Sequence, residues 1–133
     1  MFELITTRFH EDHRRRGWFS IFPMYVVDVN VVVIPQPGII VGWHRHYRQD
    51  DYWFVPQGTL QVGVFDHSEN VKWVVLSSHD KKVLKIPREI WHGYKSLEPN
   101  TILIYGLTNI YDGSDEERKS IEEAGINWNL GAK

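Results

Sequence analysis

Hydrophobic and aromatic residues recur along the chain in short runs of four to ten residues. Turn-forming Gly, Pro, Asn, Asp and Ser residues separate most of these runs. Many short strands at near-regular spacing are typical of an all-β sandwich or barrel. The pattern predicts strands over residues 25–34, 38–46, 52–55, 59–66, 71–76, 81–86 and 101–108, and a further strand that begins at His92.

One helix is signalled after the last of the long strands. Ser114 is followed three residues later by Glu117, which is the spacing of a capping box, and acidic residues fill the first turn. Gly125 is a suitable C-terminal end, because glycine readily adopts the left-handed conformation that closes many helices. We therefore expect one short C-terminal helix that begins after Ser114 and is an accessory to the β body.

Length and composition favour a single domain over residues 1–133. One hydrophobic core serves roughly 100–200 residues, and a chain of this size folds without disulfides or a structural metal. The absence of cysteine excludes a disulfide scaffold, a thiolate zinc site and a cysteine nucleophile. Aromatic residues make up 14% of the chain, with six each of Trp, Tyr and Phe. This composition favours a small β domain with an aromatic-lined interior.

Charge and hydropathy restrict the partners and the compartment. The net charge of −2 gives no reason to expect a nucleic-acid partner. No run approaches the roughly 18 apolar residues of a membrane span. The first sixteen residues lack the order of basic and then apolar segments that marks a signal peptide. We expect a cytoplasmic protein without a membrane partner.

The residues able to carry chemistry concentrate in two segments. Along a strand, residues i and i+2 share a face, so His44 and His46 point one way while Arg45 points the other. Asp51 follows His46 five residues later, and His92 begins another strand. Two histidines on one strand face beside a carboxylate are typical of a site for proton transfer or metal binding.

These segments resemble the motifs of a known superfamily. Gly38 to Gly58 has the spacing G-x5-H-x-H-x4-D-x6-G, and Pro87 to His92 has P-x4-H, which resemble the two cupin motifs. More narrowly, the chain resembles cupins that act on nucleotide-linked 4-keto-6-deoxy sugars. VGWH (41–44) resembles the RGLH of the dTDP-4-dehydrorhamnose 3,5-epimerases, and KIPREIWHGY (85–94) resembles their IPxGxxHGF. RRGWF (15–19) resembles their D-x-RG-x-F, and YGLTNIYDGSDEE (105–117) resembles their YKxTxYYxPxxE. The His-Arg-His of residues 44–46 resembles the His-x-His of the dTDP-sugar 3,4-ketoisomerases.

The resemblance implies a cupin jelly-roll β-barrel and an isomerase that requires no cofactor. A base would remove a proton beside the ketone, and the resulting enolate would be reprotonated on the other face or move the carbonyl to the neighbouring carbon. Neutral imidazole suits this step, because its ordinary pKa lies close to working pH. By position, His44 matches the base of the epimerases, and His44 with His46 matches the pair of the ketoisomerases. Tyr111 is expected to return the proton.

The resemblance also implies contacts to a nucleotide diphosphate, most simply a dTDP-linked sugar. Arginine forks suit phosphate oxygens. The expected substrate-binding residues are Arg16, Arg48, Gln49, His92 and Tyr105.

Departures from the epimerase pattern affect the expected reaction. The epimerases orient their histidine with a later Asp, and here we expect Asp50 or Asp51 to do so, with Asp51 in the catalytic group. Val41 stands where the epimerases have Arg, and Asp51 stands near their Lys position. The choice between epimerisation at one or two carbons and ketoisomerisation therefore stays open.

Two alternatives use the same residues. A metal-dependent cupin of the oxygenase type would bind Fe, Mn, Ni or Zn through His44, His46, Asp51 and His92. A non-catalytic carbohydrate-binding cupin would keep the aromatic residues and need no base. In each case we expect a homodimer, because a small barrel has edge strands to cover and the resembling enzymes are dimeric. The family resemblance implies a role in surface-polysaccharide (O-antigen or lipopolysaccharide type) or deoxysugar biosynthesis.

Overall fold

A computed structural model describes residues 1–67 and 70–129. Their regular secondary structure is almost entirely antiparallel β-strand, which confirms the predicted all-β class. No helix in this described part is long and apolar enough to cross a membrane. The elements are β1 (Glu3–Thr6), β2 (Arg8–Glu11), β3 (Arg16–Phe19), β4 (Asp28–Ile34), β5 (Ile40–His46), β6 (Asp51–Gln57), β7 (Thr59–Phe65), β8 (Lys72–Ser77), β9 (Lys82–Ile86), β10 (Trp91–Ser96), β11 (Thr101–Leu107), β12 (Glu116–Arg118) and α1 (Ile121–Ala124).

The strands form two five-stranded sheets and a separate hairpin. The first sheet has the order β1-β9-β6-β11-β4, the second has the order β12-β5-β10-β7-β8, and β2 pairs with β3. The main core combines Trp53 and Leu103 of the first sheet with Leu60 and Val62 of the second, all of them buried. The two sheets therefore share one core, as a sandwich or barrel requires.

Strand β6 is buried on both of its faces. Trp53 points into the main core, whereas Tyr52 and Phe54 point to the outer side of the first sheet. The β2–β3 hairpin covers that outer side, where Trp18 packs edge-to-face on Phe54 with ring centroids 5.5 Å apart. The hairpin therefore lies on the opposite side of the first sheet from the main core.

Many of the aromatic residues lie outside the space between the sheets. Trp43, Phe65, Trp91 and Trp128 form a second buried cluster, and Ala124 of α1 packs against it. Trp43 lies on the outer face of β5, because it packs with Phe65, Trp91 and Trp128 and not in the main core. The predicted aromatic interior is thus only partly correct, since much of the aromatic surface holds α1 and the following segment to the second sheet.

The eight predicted strands are all present, with ends within three residues of those expected. The predicted start of the helix at Ser114 is wrong. Ser120 is the N-cap and forms the capping box with Glu123, while Gly125 ends the helix with φ 63° as predicted. Glu116–Arg118 instead forms β12, because pairing with the edge of β5 supplies hydrogen bonds that override the local helix signal.

Gly58 turns the chain from the first sheet to the second. It lies between β6 and β7 with φ 85°, a conformation that favours glycine. A Cβ atom there would lie 2.3 Å from Thr101 Oγ1. The predicted turn at this glycine is confirmed, and it carries the chain directly from β6 to β7.

Candidate active site

A cavity of about 330 Å³ lies between the inner faces of the two sheets. Both sheets contribute polar side chains to it, and the structure brings together the three histidines that the sequence singled out. The polar and aromatic residues of its lining are His44 and His46 of β5, His92 of β10, Asp51 and Trp53 of β6, Tyr94, Tyr105, Tyr111, and Glu116 and Arg118 of β12.

Strand register explains why these side chains meet. β10 and β12 flank β5 on either side. His92 pairs with His44 across β10 and β5, while Glu116 pairs with His46 and Arg118 with His44 across β12 and β5. Cross-strand partners point to the same face of a sheet. The inward face of β5 is therefore bordered by His92 of β10 on one side and by Glu116 and Arg118 of β12 on the other.

Arg45 lies on the outward face of β5, as the alternation predicts. Its guanidinium donates a 2.7 Å hydrogen bond to Glu117 and lies 4.6 Å from the centroid of the Trp91 ring. Arg45 therefore belongs to the exterior of the second sheet and does not line the cavity.

Glu116 is the carboxylate in contact with His44. Its Oε1 lies 3.1 Å from Nδ1 of His44, and its Oε2 accepts hydrogen bonds from Tyr111 (2.9 Å) and Arg118 (3.1 Å). Burial alone would raise the pKa of Glu116, but the bonds from Arg118 and Tyr111 hold that pKa below its ordinary value. Burial lowers the pKa of His44, against the opposing effect of Glu116. The pair at neutral pH is therefore a carboxylate and a neutral imidazole.

The expectation that Asp50 or Asp51 orients His44 is wrong. Asp50 accepts hydrogen bonds from the backbone and the side chain of Arg88, which is outside the cavity. Asp51 lies between the other two histidines. A signal for Glu116 was present in the sequence: with Tyr105 as the first residue of the YKxTxYYxPxxE pattern, the final Glu falls on Glu116.

Asp51 is a buried carboxylate held through both oxygens. Gln49 Nε2 donates to Oδ1 at 2.9 Å, and Trp53 Nε1 donates to Oδ2 at 3.1 Å. His46 Nδ1 and His92 Nε2 each lie 4.0 Å from Asp51, which is too long for a hydrogen bond. Asp51 is thus fixed by the surrounding amide and indole groups, and it faces both histidines without a hydrogen bond to either.

His46 and His92 stack on each other with centroids 5.4 Å apart. His92 Nδ1 lies 3.2 Å from the Ile90 carbonyl oxygen, and burial lowers the pKa of His92 to about 4 against the opposing effect of Asp51. The buried Nδ1 of His46 has no hydrogen-bond partner among the described residues. Both rings are therefore packed tightly, and His92 is neutral at ordinary pH.

Three residues of this cluster are close enough to hold a metal ion. One ligand atom from each of His46, Asp51 and His92 lies within 4.8 Å of the others, and all three residues are buried. Two imidazoles and one carboxylate form a donor set used for divalent transition metals. His44 is not a member of this group, so the structure differs here from the predicted set of four ligands.

The two lining tyrosines that the sequence singled out, Tyr105 and Tyr111, differ in their hydrogen bonding. Tyr111, which we expected to return the proton, donates its hydroxyl to Glu116 and is more than half exposed. Tyr105 is partly buried on β11, and its hydroxyl makes no hydrogen bond within the described part of the chain. Burial raises the pKa of Tyr105. Tyr105, like Tyr94, therefore has a hydroxyl that burial keeps protonated and that no described residue engages.

Three of the predicted substrate-binding residues do not line the cavity. Arg16 lies on the β2–β3 hairpin, on the other side of the first sheet, because Trp18 anchors that hairpin to the outer face. Arg48 is exposed and pairs with Asp112 at 2.9 Å. Gln49 is buried and its amide is engaged by Asp51.

Arg118 is a cavity residue that the sequence pattern did not indicate. Among the described residues it is the one Lys or Arg that lines the cavity, and its side chain is 69% exposed. Its signal in the sequence is weak, since Arg118 lies in a stretch that the capping-box spacing and the acidic residues assigned to a helix.

Comparisons with known proteins agree with this geometry. Residues 4–133 match the family described as dTDP-4-dehydrorhamnose 3,5-epimerase. The chain is 35% identical over 104 residues to the spore coat polysaccharide biosynthesis protein SpsL of Bacillus subtilis, covering 70% of this chain and 69% of SpsL. It is also 35% identical over 94 residues to the probable low-salt glycan biosynthesis epimerase Agl13 of Haloferax volcanii. That match covers 64% of this chain and 60% of the archaeal protein.

Solved structures share the architecture. The 3'-monoepimerase ChmJ from Streptomyces bikiniensis, solved in complex with dTDP-quinovose, superposes with a TM-score of 0.84 at 20% identity, over 98% of this chain and 76% of ChmJ. This similarity confirms the predicted cupin jelly-roll fold with one short C-terminal helix.

Proposed function

The chain belongs to the dTDP-4-dehydrorhamnose 3,5-epimerase family, and we propose that it is an isomerase of a nucleotide-linked 4-keto-6-deoxy sugar. The observation that carries this proposal is the state of His44. It is a neutral imidazole in the wall of the cavity, its Nδ1 faces a carboxylate, and its Nε2 has no hydrogen-bond partner among the described residues. Such an imidazole is suited to take a proton from a carbon acid.

The proposed reaction uses the acidity of the carbons beside the ketone. His44 takes a proton from one of them, and the electron pair moves to the carbonyl oxygen as an enolate. Return of a proton from the other face of the sugar gives an epimer, whereas return at the former carbonyl carbon moves the ketone. We assign the proton donor to Tyr105, because its hydroxyl is unengaged and it matches the first Tyr of the family's YKxTxYYxPxxE pattern, and keep Tyr111 as the competing candidate.

We further propose that Arg118 contacts the diphosphate of the substrate. Replacing Arg118 with Gln is expected to raise KM by ~10-fold or more, because a charged hydrogen bond to phosphate is lost. The effect on kcat is expected to be smaller. Steady-state kinetics on the nucleotide sugar would measure both constants. The matched control is Arg48→Gln, which removes an arginine paired with Asp112 outside the cavity, and an equal rise in KM in both variants would contradict the assignment.

We propose a homodimer that covers the exposed edge of the first sheet. β4 is an edge strand, and Val29, Val31 and Val33 on its outward face are each more than half exposed. A row of apolar side chains on an unpaired edge is stabilised by burial against a second copy. Light scattering at micromolar concentration is expected to give twice the chain mass of 15.7 kDa, and to give the single chain mass for Val31→Lys. A monomeric wild-type protein would contradict the proposal.

We place this activity in glycan biosynthesis within the cytoplasm. The support for the pathway comes from the names of the two relatives at 35% identity, which belong to glycan and polysaccharide biosynthesis. The support for the compartment is the substrate class, since nucleotide sugars are activated precursors inside the cell.

The direct test is proton NMR of dTDP-4-keto-6-deoxyglucose in deuterated water with the protein added. We expect deuterium to enter the sugar at C3 or C5 together with the signals of a new sugar. The position of the label and the new coupling pattern distinguish epimerisation from migration of the ketone. Binding of the nucleotide sugar without exchange would contradict an isomerase and favour the carbohydrate-binding alternative.

The metal-dependent alternative is favoured by one observation, the buried cluster of His46, Asp51 and His92. A bound divalent ion would act as a Lewis acid toward a substrate oxygen. Elemental analysis of protein purified without an affinity tag separates the two functions. A stoichiometric transition metal whose removal by a chelator abolishes turnover would favour the alternative, and exchange activity that persists after chelation would favour the proton-transfer isomerase.

A further inference from the structure

Glu116 occupies a central position in the polar network of the cavity. Its side chain is only 7% exposed although it is charged, and its carboxylate contacts His44, Tyr111 and Arg118. Oε2 is occupied by Tyr111 and Arg118, which leaves Oε1 for Nδ1 of His44 at 3.1 Å. The two hydrogen bonds to Oε2 therefore orient the carboxylate so that Oε1 points toward His44.

Strand pairing determines which residue Glu116 reaches. Glu116 is directly opposite His46 in the ladder between β12 and β5, and His44 is the diagonal neighbour. Diagonal neighbours on one sheet face are within reach of long side chains. Glu116 therefore contacts His44 from a strand that also closes the edge of the second sheet.

The chemistry of Glu116 and His44 determines which ring nitrogen of His44 carries the proton. An ionised carboxylate only accepts hydrogen bonds, so the proton between the two groups belongs to Nδ1 of His44. A neutral imidazole carries one N–H, and Nε2 must then hold the lone pair. The same arrangement keeps the ring from rotating within the cavity.

Glu117 provides an internal contrast. It is the adjacent residue in β12, and strand alternation turns it to the outer side. There it accepts hydrogen bonds from Arg45 and Tyr47, and its side chain is 44% exposed. The two adjacent glutamates thus have the same chemistry, and only Glu116 contacts the cavity.

We propose that Glu116 is the positioning residue for His44: it holds the ring as the Nδ1–H tautomer and so presents Nε2 as the base. The role of the ring in catalysis rests on the proposed function, whereas the tautomer is a property of the free protein. Glu116 thereby takes the place that the resembling epimerases give to an Asp from a later segment.

The test compares Glu116→Gln with Glu117→Gln. A Gln side chain can turn its NH₂ toward Nδ1 and favour the other tautomer, so Glu116→Gln is expected to lower kcat by ~10²-fold with KM changed by less than ~3-fold. Glu117→Gln is expected to keep both constants near those of the wild type. Glu116→Asp is expected to recover part of kcat, because a carboxylate is restored with a shorter reach.

Nitrogen-15 NMR of the free protein supplies a second readout that a structural role would not change. The His44 ring signals are identified by their loss in His44→Asn. We expect the Nδ1–H tautomer in the wild type and in Glu117→Gln, and an increased share of the Nε2–H tautomer in Glu116→Gln. Circular dichroism checks that each variant is folded.

Two results would overturn the proposal: an Nε2–H tautomer for His44 in the wild-type protein, or a folded Glu116→Gln variant with kcat within ~3-fold of the wild type. A wild-type protein that shows the Nδ1–H tautomer but no exchange on any 4-keto sugar would support the role of Glu116 and contradict the proposed function. The NMR measurement on the wild type needs only His44→Asn for signal assignment, so it decides the question even if Glu116→Gln does not fold.

Discussion

His44→Asn is expected to lower turnover of the 4-keto sugar by ~10²-fold or more, the usual range for a lost general base. Asn cannot accept the proton, although it keeps much of the imidazole's shape and can still hydrogen-bond Glu116. Fold and nucleotide-sugar binding are expected to persist, because His44 is only partly buried and Arg118 remains. Deuterium exchange into the sugar measures the chemical step, and calorimetric titration with dTDP measures binding.

His46→Asn is the matched control for this prediction. His46 is on the same strand face, two residues away, but its ring stacks on His92, whereas the Glu116 carboxylate contacts His44. A small loss of exchange in His46→Asn indicates one base and an epimerase, whereas an equally large loss indicates a pair of histidines and a ketoisomerase. Near-normal exchange in His44→Asn would show that the proposed mechanism is wrong. Loss of a stoichiometric metal from His46→Asn would favour the metal-dependent alternative.

Tyr105→Phe is expected to lower turnover by ~10²-fold, because it removes a cavity hydroxyl that has no hydrogen-bond partner among the described residues and that burial keeps protonated. The Phe ring preserves the packing against neighbouring strands. The variant should still exchange the substrate proton with deuterium, since His44 is unchanged, while forming the new sugar slowly. Following label and product in the same NMR experiment separates proton removal from proton return.

Tyr111→Phe is the control, and it also tests the assignment made from the sequence pattern. Tyr111 donates to Glu116, so its loss removes one of two partners on Oε2 and leaves Arg118. We expect a loss of turnover smaller than that of Tyr105→Phe. The reverse order, with Tyr111→Phe the more severely impaired variant, would return the role of proton donor to Tyr111.

Several parts of the fold were predictable because they depend on local geometry. Alternation of side chains along a strand is a property of the extended backbone, so the eight strands and the shared face of His44 and His46 follow from the sequence. Gly58 and Gly125 mark backbone conformations that glycine adopts readily, and both occur where expected. These features require no knowledge of which strands become neighbours.

The failures come from contacts between distant segments. The stretch after Ser114 has good helix signals, yet the free edge of β5 pairs with Glu116–Arg118 and makes a strand there. Sequence proximity likewise suggested Asp50 and Arg48 as site residues, but Arg88 and Asp112 bind them outside the cavity. Local sequence does not contain these pairings, because they depend on the packing of other strands.

The sequence by itself therefore determined the all-β class, the family and the histidines that face the cavity. The tertiary structure decided which groups act on those histidines: Glu116 on His44, Asp51 beside His46 and His92, and Arg118 at the cavity wall. The physical reason is that side-chain alternation is fixed within one strand, whereas the meeting of residues far apart in the chain is fixed by strand order and register across the sheet.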